Sequence, residues 1–174
     1  MDIVANMEAL ARKWHDGKFR KDGKTPYYEH PKAVVEQLRA WGYDEPVTLA
    51  VAWGHDLMED TEVPAREVAM ACGSFGPEVL SGIAWLTFLS GEKDRKGAKA
   101  KYISHIADCA PPEILAVKIA DRLCNLRDFK KLYGGPSQKF REYWHEAEPL
   151  YGAMDRLPEE PRRKIMGTMA EVGA

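Results

Sequence analysis

The feature that most constrains this chain is a helical spacing of apolar residues, which recurs along almost its whole length. Apolar side chains return every three or four residues, as they do on one face of an α-helix. Apart from weak β-branched clusters, the alternating runs typical of β-strands are missing from the sequence. The spacing predicts an all-α fold with helices over 2–16, 31–41, 46–58, 64–73, 76–89, 98–108, 112–131, 137–156 and 159–171.

Prolines mark the beginnings of many of these segments, because proline is favoured in a first helical turn and disrupts a helix interior. They are Pro31, Pro46, Pro64, Pro77, Pro112 and Pro161. Glycine and clustered charges predict loops over 16–28, 90–99 and 133–138. With 174 residues the chain has the length of one domain, so we expect a single helical domain over 1–174.

The overall charge gives no indication of a surface for nucleic acid or membrane. The net charge is −2, and no apolar run approaches the roughly 18 residues that cross a bilayer. The stretch MDIVANMEALARKW carries an acid at position 2 and is typical of an amphipathic helix, not of a signal peptide. We therefore expect a cytoplasmic protein that binds neither nucleic acid nor membrane.

The three cysteines, Cys72, Cys109 and Cys124, lie far apart among apolar or small neighbours. Disulfide frameworks and cysteine-rich metal sites use even numbers of cysteines or C-x-x-C pairs, and neither occurs here. We expect three buried free thiols in a reducing compartment.

Acidic and imidazole side chains are concentrated in the stretch HDLMEDT, which directly follows the apolar run TLAVAWG. Residues three and four positions apart are neighbours on a helix, so these side chains would share one face of the helix end. They are His55, Asp56, Glu59 and Asp60. Buried unpaired carboxylates are costly, and a divalent cation bound by imidazole and carboxylate would offset them. The alternative, a helix end whose acids meet water, is the commoner arrangement for such a stretch taken alone.

A further acidic position lies on the apolar face of the segment AVKIADRLCNLRD. Asp121 falls beside Val117 on that face, and Asn125 lies one turn further along the same side. An aspartate in apolar surroundings needs a partner, either a metal ion or an arginine. The purely structural alternative is an ion pair of Asp121 with Arg122 or Arg127.

A histidine stands at an expected helix start in YYEHPKAVV, where His30 precedes Pro31. Alone, such a histidine is usually a cap or a hydrogen-bonded core residue. Together, however, His30, the pair His55 and Asp56, and Asp121 are better explained by one site than by unrelated structural roles. Their order resembles the signature of the HD phosphohydrolases, H…HD…D, in which two histidines and two aspartates hold one divalent metal ion.

The resemblance extends to a narrower family. The stretches HDGKFRKDGKTPYYEHPKAV, HDLMEDT, FGPEV and VKIADRLCNLRD resemble the hydrolase domain of RelA/SpoT-type proteins. The length is similar to that of the small alarmone hydrolases related to the metazoan SpoT homologue, and the similarity runs from about Leu10 to Tyr151. It implies an HD-domain helical bundle that hydrolyses (p)ppGpp at its 3′-pyrophosphate ester, usually with Mn²⁺, to GDP or GTP and pyrophosphate. Such an enzyme would act in the stringent response.

The resemblance also implies roles for individual residues. The metal ligands would be His30, His55, Asp56 and Asp121. The catalytic acidic pair that handles the attacking water would be Glu59 and Asp60. The substrate-binding residues would be Arg20, Lys21, Asn125, Lys139 and Tyr143.

Elementary chemistry agrees with these roles. A divalent ion lowers the pKa of a bound water from about 15.7 toward roughly 7, and a nearby carboxylate can take the proton. The negative charges of a pyrophosphate need cations beside an acidic site. Arg20 and Lys21, with Lys18 and Lys24 close by, would supply them from a loop. The alternative for this loop is an ordinary solvated basic turn.

After SGI the chain departs from the family pattern, because Ala84 and Trp85 follow. We expect the segment 84–99 to shape the substrate pocket differently. Nothing resembles a synthetase domain, so we expect a hydrolase only.

Two other functions stay open, namely an HD-type nucleotide phosphohydrolase acting on a dNMP or NADPH, and a catalytically silent HD module that binds nucleotides. Retention of Glu59 and Asp60 beside a full ligand set argues against the silent module.

Overall fold

The structure, a computed structural model, describes residues 1–88 and 95–174. In these residues the backbone is helical, and the only strand-like pairing is one antiparallel bridge between Phe19 and Pro26. None of these helices combines the length and the apolar character needed to span a membrane. The all-α prediction is confirmed. The helices are α1 (Ile3–Trp14), α2 (Glu29–Trp41), α3 (Pro46–Gly54), α4 (Leu57–Asp60), α5 (Ala65–Cys72), α6 (Gly76–Leu86), α7 (Arg95–Cys109), α8 (Pro112–Tyr133), α9 (Gln138–Glu146), α10 (Glu148–Gly152) and α11 (Glu159–Gly173).

Local sequence explains where several helices begin and end. Pro46, Pro77 and Pro112 stand in the first turns of α3, α6 and α8, where the backbone does not need their missing N–H. Asp2 caps α1, because its Oδ1 accepts hydrogen bonds from two N–H groups of the first turn, both at 3.1 Å. Helix α8 ends at Gly134, whose φ of +68° favours glycine.

The predicted single helix over 137–156 is wrong. Helix α9 ends at Glu146, and the short helix α10 and a 3-10 turn follow it. Pro149 has no N–H to donate to the carbonyl of His145, four residues earlier, so one α-helix cannot continue through this point.

The predicted loop over 90–99 is partly wrong, because α7 already begins at Arg95. The lysine and alanine residues that follow have high helix propensity, which offsets the single glycine among them. The helix predicted over 76–89 ends at Leu86. Residues 89–94 lie outside the described residues.

The chain forms two compact units, and the first comprises Met1–Arg39 and Tyr43–Thr87. Within it α1, α3, α5 and α6 pack on one another. A Cβ on Gly54 would lie 2.6 Å from Ile83 Cδ1, so the end of α3 approaches α6 as closely as only glycine allows. This packing fixes the backbone from which the stretch HDLMEDT begins.

The second unit comprises Ala40–Gly42 and Phe88–Ala174. At its centre, α8 packs against α9, α10 and α11, and residues 114–124 are all buried. Trp41 Nε1 donates a hydrogen bond to Thr168 Oγ1 at 3.0 Å, and both side chains are buried. Because α8 is surrounded, a charged side chain in its middle needs a partner within the protein.

The cysteines are free, as predicted, but they are not all buried. Cys72 and Cys124 are buried, whereas Cys109 is exposed. Ile106 and Ala110 occupy the buried face at the end of α7, and Cys109 lies off that face. The prediction of buried thiols is therefore wrong for Cys109.

Candidate metal centre

The adjacent histidine and aspartate of HDLMEDT lie where a buried helix stops. Helix α3 ends at Gly54 and α4 begins at Leu57, so His55 and Asp56 form the connection between them. The predicted continuous helix over 46–58 is wrong at this point. The bend places His55 in the interior, with 1% of its surface exposed, and leaves Asp56 half-buried.

His30 approaches from the first turn of α2. Only 3% of its surface is exposed, and its backbone N–H donates a hydrogen bond to the carbonyl of Tyr27 at 2.9 Å. The expected helix start at His30 is confirmed, and the side chain is buried.

The ligand-type atoms of His30, His55 and Asp56 converge, with one atom from each lying within 4.8 Å of the others. The two Nε2 atoms are 3.3 Å apart. Asp56 Oδ2 lies 3.2 Å from His55 Nε2 and 3.6 Å from His30 Nε2. Ligands of one transition-metal ion lie about 2.0–2.2 Å from it, and thus within about 4.4 Å of one another. Two nitrogen donors and one oxygen donor at these separations fit a divalent ion.

A backbone contact indicates which nitrogen of His55 would face a metal ion. His55 Nδ1 lies 2.7 Å from the carbonyl oxygen of Ala52. Because a carbonyl only accepts, Nδ1 carries the proton and donates it, and the neutral ring keeps its lone pair on Nε2. That lone pair is directed toward His30 and Asp56, where a cation would be held.

Tyr27 connects the candidate ligand Asp56 to the acidic pair. Its hydroxyl oxygen lies 2.9 Å from Asp56 Oδ2 and 2.5 Å from Asp60 Oδ2. Burial, together with the charge of Asp56, raises the pKa of Tyr27, so the phenol keeps its proton and donates it. Glu59 and Asp60 are both exposed, so the predicted catalytic carboxylates stand at the solvent edge of a buried cluster.

The basic loop between α1 and α2 is shaped by a local turn. The Thr25 hydroxyl donates to Asp22 Oδ2 at 2.6 Å, and Asp22 Oδ1 accepts from two backbone N–H groups at 2.9 Å. The hydroxyl and then the N–H groups lower the pKa of Asp22 to about 2. Beside this turn, the guanidinium carbon of Arg20 lies 5.3 Å from the ring centroid of Tyr27, while Lys21 is exposed.

Asp121 lies in the middle of α8, in the second unit, with 5% of its surface exposed. Asn125 Nδ2 donates to Asp121 Oδ1 at 2.6 Å, as the helical spacing predicts. The ammonium of Lys118, itself buried, lies 3.0 Å from Asp121 Oδ2. Desolvation lowers the pKa of Lys118, but Asp121, with smaller contributions from Tyr102 and Tyr143, raises that pKa by more in total, so Lys118 stays charged.

The predicted substrate residues of α9 differ in their surroundings. Lys139 is exposed in the first turn of the helix. Tyr143 is half-buried, with the guanidinium carbon of Arg122 4.1 Å from its ring centroid and the ring of Phe129 edge-on at 5.2 Å. Lys99 Nζ lies 5.4 Å from the same centroid. Tyr143 is therefore anchored by cations of its own unit.

Comparison with known proteins decides the family. The HD domain family matches residues 8–154, which include every candidate site residue described above. This chain belongs to the HD domain family. The resemblance read from H…HD…D is confirmed, and the assignment of all of 1–174 to one HD domain stays a prediction.

Relatives of this HD-domain chain carry names from (p)ppGpp metabolism. A GTP pyrophosphokinase of Streptomyces coelicolor is 35% identical over 125 residues, which are 71% of this chain but only 14% of that protein. The guanosine-3′,5′-bis(diphosphate) 3′-pyrophosphohydrolase MESH1 of Xenopus tropicalis is 32% identical over 154 residues, 85% of this chain and 82% of that protein. The chain thus spans a small part of the first relative and most of the second.

Solved structures share the fold. The structure of a metazoan orthologue of SpoT that hydrolyses ppGpp has a TM-score of 0.80 at 22% identity, covering 99% of this chain and 97% of that one. A protein of Listeria monocytogenes has a TM-score of 0.62, also at 22% identity. These likenesses agree with the predicted HD-type helical bundle.

Sequence reasoning missed two side chains that contact candidate residues, and a third that packs on one of these two. Lys118 precedes Asp121 by three residues within α8, so helical spacing could have indicated it, whereas Tyr27 lies before α2 and contacts Asp56 and Asp60 from the preceding loop. His15 is buried and stacks on the ring of Tyr27 at 4.5 Å between centroids. Its burial lowers its pKa to about 4, and no spacing in the sequence indicates this contact.

Proposed function

We propose that this HD-domain protein hydrolyses (p)ppGpp at its 3′-pyrophosphate ester. Water adds across the bond between the ribose 3′ oxygen and phosphorus, so that GDP or GTP and pyrophosphate are released. The convergence of His30, His55 and Asp56 is the structural observation that supports the proposal. A relative named for this activity, matched over 82% of its length, supports the choice of substrate.

The ion that we propose is Mn²⁺, with other divalent ions as possible substitutes. Its ligands would be His30, His55, Asp56 and Asp121. Asp121 comes from the H…HD…D pattern, and its contacts with Lys118 and Asn125 hold the carboxylate in one orientation, as a ligand requires. When bound, such an ion lowers the pKa of water and offsets phosphate charge.

Glu59 and Asp60 are the proposed catalytic pair, which orients the attacking water and accepts its proton. Their exposure keeps them accessible to water and substrate, and the hydrogen bond from Tyr27 limits the movement of Asp60. General-base catalysis of this kind contributes about 10²- to 10⁴-fold to a rate. The proposed substrate-binding residues are Arg20, Lys21, Asn125, Lys139 and Tyr143.

The sequence departure after α6 concerns the pocket and not the proposed metal ligands. Ala84 and Trp85 lie in the last turn of α6, and residues 89–94 of the segment 84–99 lie outside the described residues. We propose that this segment adjusts substrate choice.

We further propose that the protein acts in the cytoplasm, in the stringent response, on a small-molecule nucleotide. We propose that it binds neither nucleic acid nor membrane, and the net charge of −2 supports this part of the proposal.

One assay separates the proposed reaction from the alternatives. Purified protein loaded with Mn²⁺ is incubated with ppGpp, a dNMP or NADPH, and released pyrophosphate and phosphate are measured. We expect pyrophosphate from ppGpp, none when EDTA is present, and a rate about 10²- to 10⁴-fold lower when Glu59→Gln replaces the wild type. Phosphate from the dNMP or NADPH, without pyrophosphate from ppGpp, would show a different HD-type hydrolase. Nucleotide binding without any product would show a silent module.

A further inference from the structure

We infer that Tyr27 is a positioning residue whose hydroxyl fixes the proposed metal ligand Asp56 and the proposed catalytic residue Asp60 relative to each other. The inference rests on the proposed function and deepens it. All the contacts that support it lie within the first compact unit.

The hydroxyl of Tyr27 contacts the oxygen that matters for metal binding. Asp56 Oδ2, 2.9 Å from this hydroxyl, is the same atom that faces His55 Nε2 at 3.2 Å and His30 Nε2 at 3.6 Å. Asp60 Oδ2 lies 2.5 Å from the hydroxyl on its other side. A phenol has a single proton, so the hydroxyl bridges the two carboxylates by sharing that proton between them, and the shared proton offsets their mutual repulsion.

The ring of Tyr27 is held in place, so its hydroxyl cannot easily move. His15 stacks on it at 4.5 Å with 26° between the ring planes, and the guanidinium carbon of Arg20 lies 5.3 Å from its centroid. The backbone N–H of Tyr27 donates to the carbonyl of Lys18 at 2.9 Å. Neither ring nitrogen of His15 has a hydrogen-bond partner in the part of the chain that the structure describes, so His15 acts here through packing.

The hydroxyl contacts the two carboxylates, whereas the ring packs against His15 and Arg20, so different substitutions can test the two roles. Tyr27→Phe keeps the ring between His15 and Arg20 and removes only the bridge between carboxylates. Groups that orient metal ligands typically contribute 10- to 100-fold to metal affinity or activity. We therefore expect Tyr27→Phe to lower Mn²⁺ affinity and kcat by about 10- to 100-fold, with KM unchanged. Tyr27→Leu also removes the surface beneath Arg20, and we expect it to raise KM in addition.

The experiment measures Mn²⁺ affinity by competition with a chromophoric chelator, kcat and KM with ppGpp, and the unfolding temperature in EDTA. Tyr28→Phe is the matched control, because Tyr28 is the next residue and its ring packs under Arg12 at 4.1 Å. We expect wild-type values for this control. Wild-type Mn²⁺ affinity and kcat in Tyr27→Phe would overturn the inference. It would also be overturned if both fell only in proportion to a lowered unfolding temperature, since that would show a purely structural role.

The two parts of the experiment separate this inference from the proposed function. If wild-type protein binds Mn²⁺ but releases no pyrophosphate from ppGpp, the proposed function is wrong. The affinity of Tyr27→Phe for Mn²⁺ alone would still decide whether the hydroxyl positions Asp56.

Discussion

In the first and second compact units, the candidate aspartates Asp56 and Asp121 have different kinds of neighbour. In the first unit, the close contacts of Asp56 Oδ2 include two imidazole nitrogens and a phenol, with the Asp60 carboxylate on the far side of that phenol. In the second unit, Asp121 has the ammonium of Lys118 at 3.0 Å and the amide of Asn125 at 2.6 Å. The contacts of Asp56 described here are with groups that can hold a cation beside it, whereas those of Asp121 include the ammonium of Lys118.

Because of this difference, we expect the two sets of contacts to respond differently when a metal ion is added or removed. In the first cluster, nitrogen and oxygen lone pairs face one another, and a bound cation would offset their repulsion. An ion that binds only the folded protein raises the free energy of unfolding, so stability should depend on metal. A buried ion pair holds its members whether or not a metal is present, and breaking it strands a charge. We therefore expect metal-dependent stability from the first cluster, and from the ion pair of Lys118 with Asp121 a contribution that persists in EDTA.

Removing the charge of either aspartate is the strongest test of the comparison. We expect Asp56→Asn and Asp121→Asn to reduce turnover to background, because an amide oxygen is a poorer ligand than a carboxylate. In EDTA, Asp56→Asn should change the free energy of unfolding by about 1 kcal/mol or less, since the amide still accepts from Tyr27. Asp121→Asn should cost more, because Lys118 loses its partner. Activity and chemical unfolding of each variant measure both effects.

The control for these variants is Asp108→Asn, an exposed aspartate of α7, which should change neither quantity. Turnover retained in Asp121→Asn, or an undiminished rise of its unfolding temperature on adding Mn²⁺, would remove Asp121 from the ligand set.

Glu59→Gln tests the exposed edge of the first cluster. The amide keeps the shape of the side chain but cannot accept a proton at neutral pH, so kcat should fall by about 10²- to 10⁴-fold. Mn²⁺ affinity should stay at the wild-type value, because Glu59 is not a proposed ligand. Glu62→Gln, three residues further along and also exposed, is the control. A full rate in Glu59→Gln would contradict its catalytic role.

The spacing of apolar residues was sufficient to predict the helices. Each helix buries one face, and the apolar residues of that face recur every three or four positions in the sequence. It did not locate the break at His55 and Asp56, where the apolar pattern continues without interruption through Leu57. Gly54, directly before the break, packs closely against Ile83, and such a tertiary contact is not visible in the spacing of apolar residues.

The candidate site was likewise predicted only in part from the sequence. His30, His55 and Asp56 could be named because each belongs to a short motif, and the structure brings their ligand atoms together. From the sequence, Arg122 or Arg127 was expected to pair with Asp121. The structure pairs it with Lys118, which helical spacing places on the same face of α8. The bridge from Tyr27 to Asp60 depends on how a loop folds back, and no local spacing encodes it.

Lys118→Met tests the second unit by itself. Methionine fills a similar volume but leaves the Asp121 charge buried without its cation, and we expect a loss of about 3–5 kcal/mol in the free energy of unfolding in EDTA. Saturating Mn²⁺ should restore part of this loss if the ion binds Asp121. Lys101→Met, on the exposed face of α7, is the control. A loss below about 1 kcal/mol would mean that the pair contributes no more than a surface ion pair.

His15→Phe tests the aromatic support of the first cluster through pH. Burial lowers the pKa of His15 from 6.5 to about 4, so the unfolded chain binds one more proton than the folded protein between these values. Stability is therefore complete above pH 6.5 and falls as pH decreases, by up to about 1.4 kcal/mol per unit. Phenylalanine keeps the stacking on Tyr27 but cannot titrate, so chemical unfolding in EDTA should show a shallower slope. The exposed His145→Gln controls for the loss of a histidine, and an unchanged slope in His15→Phe would contradict this assignment.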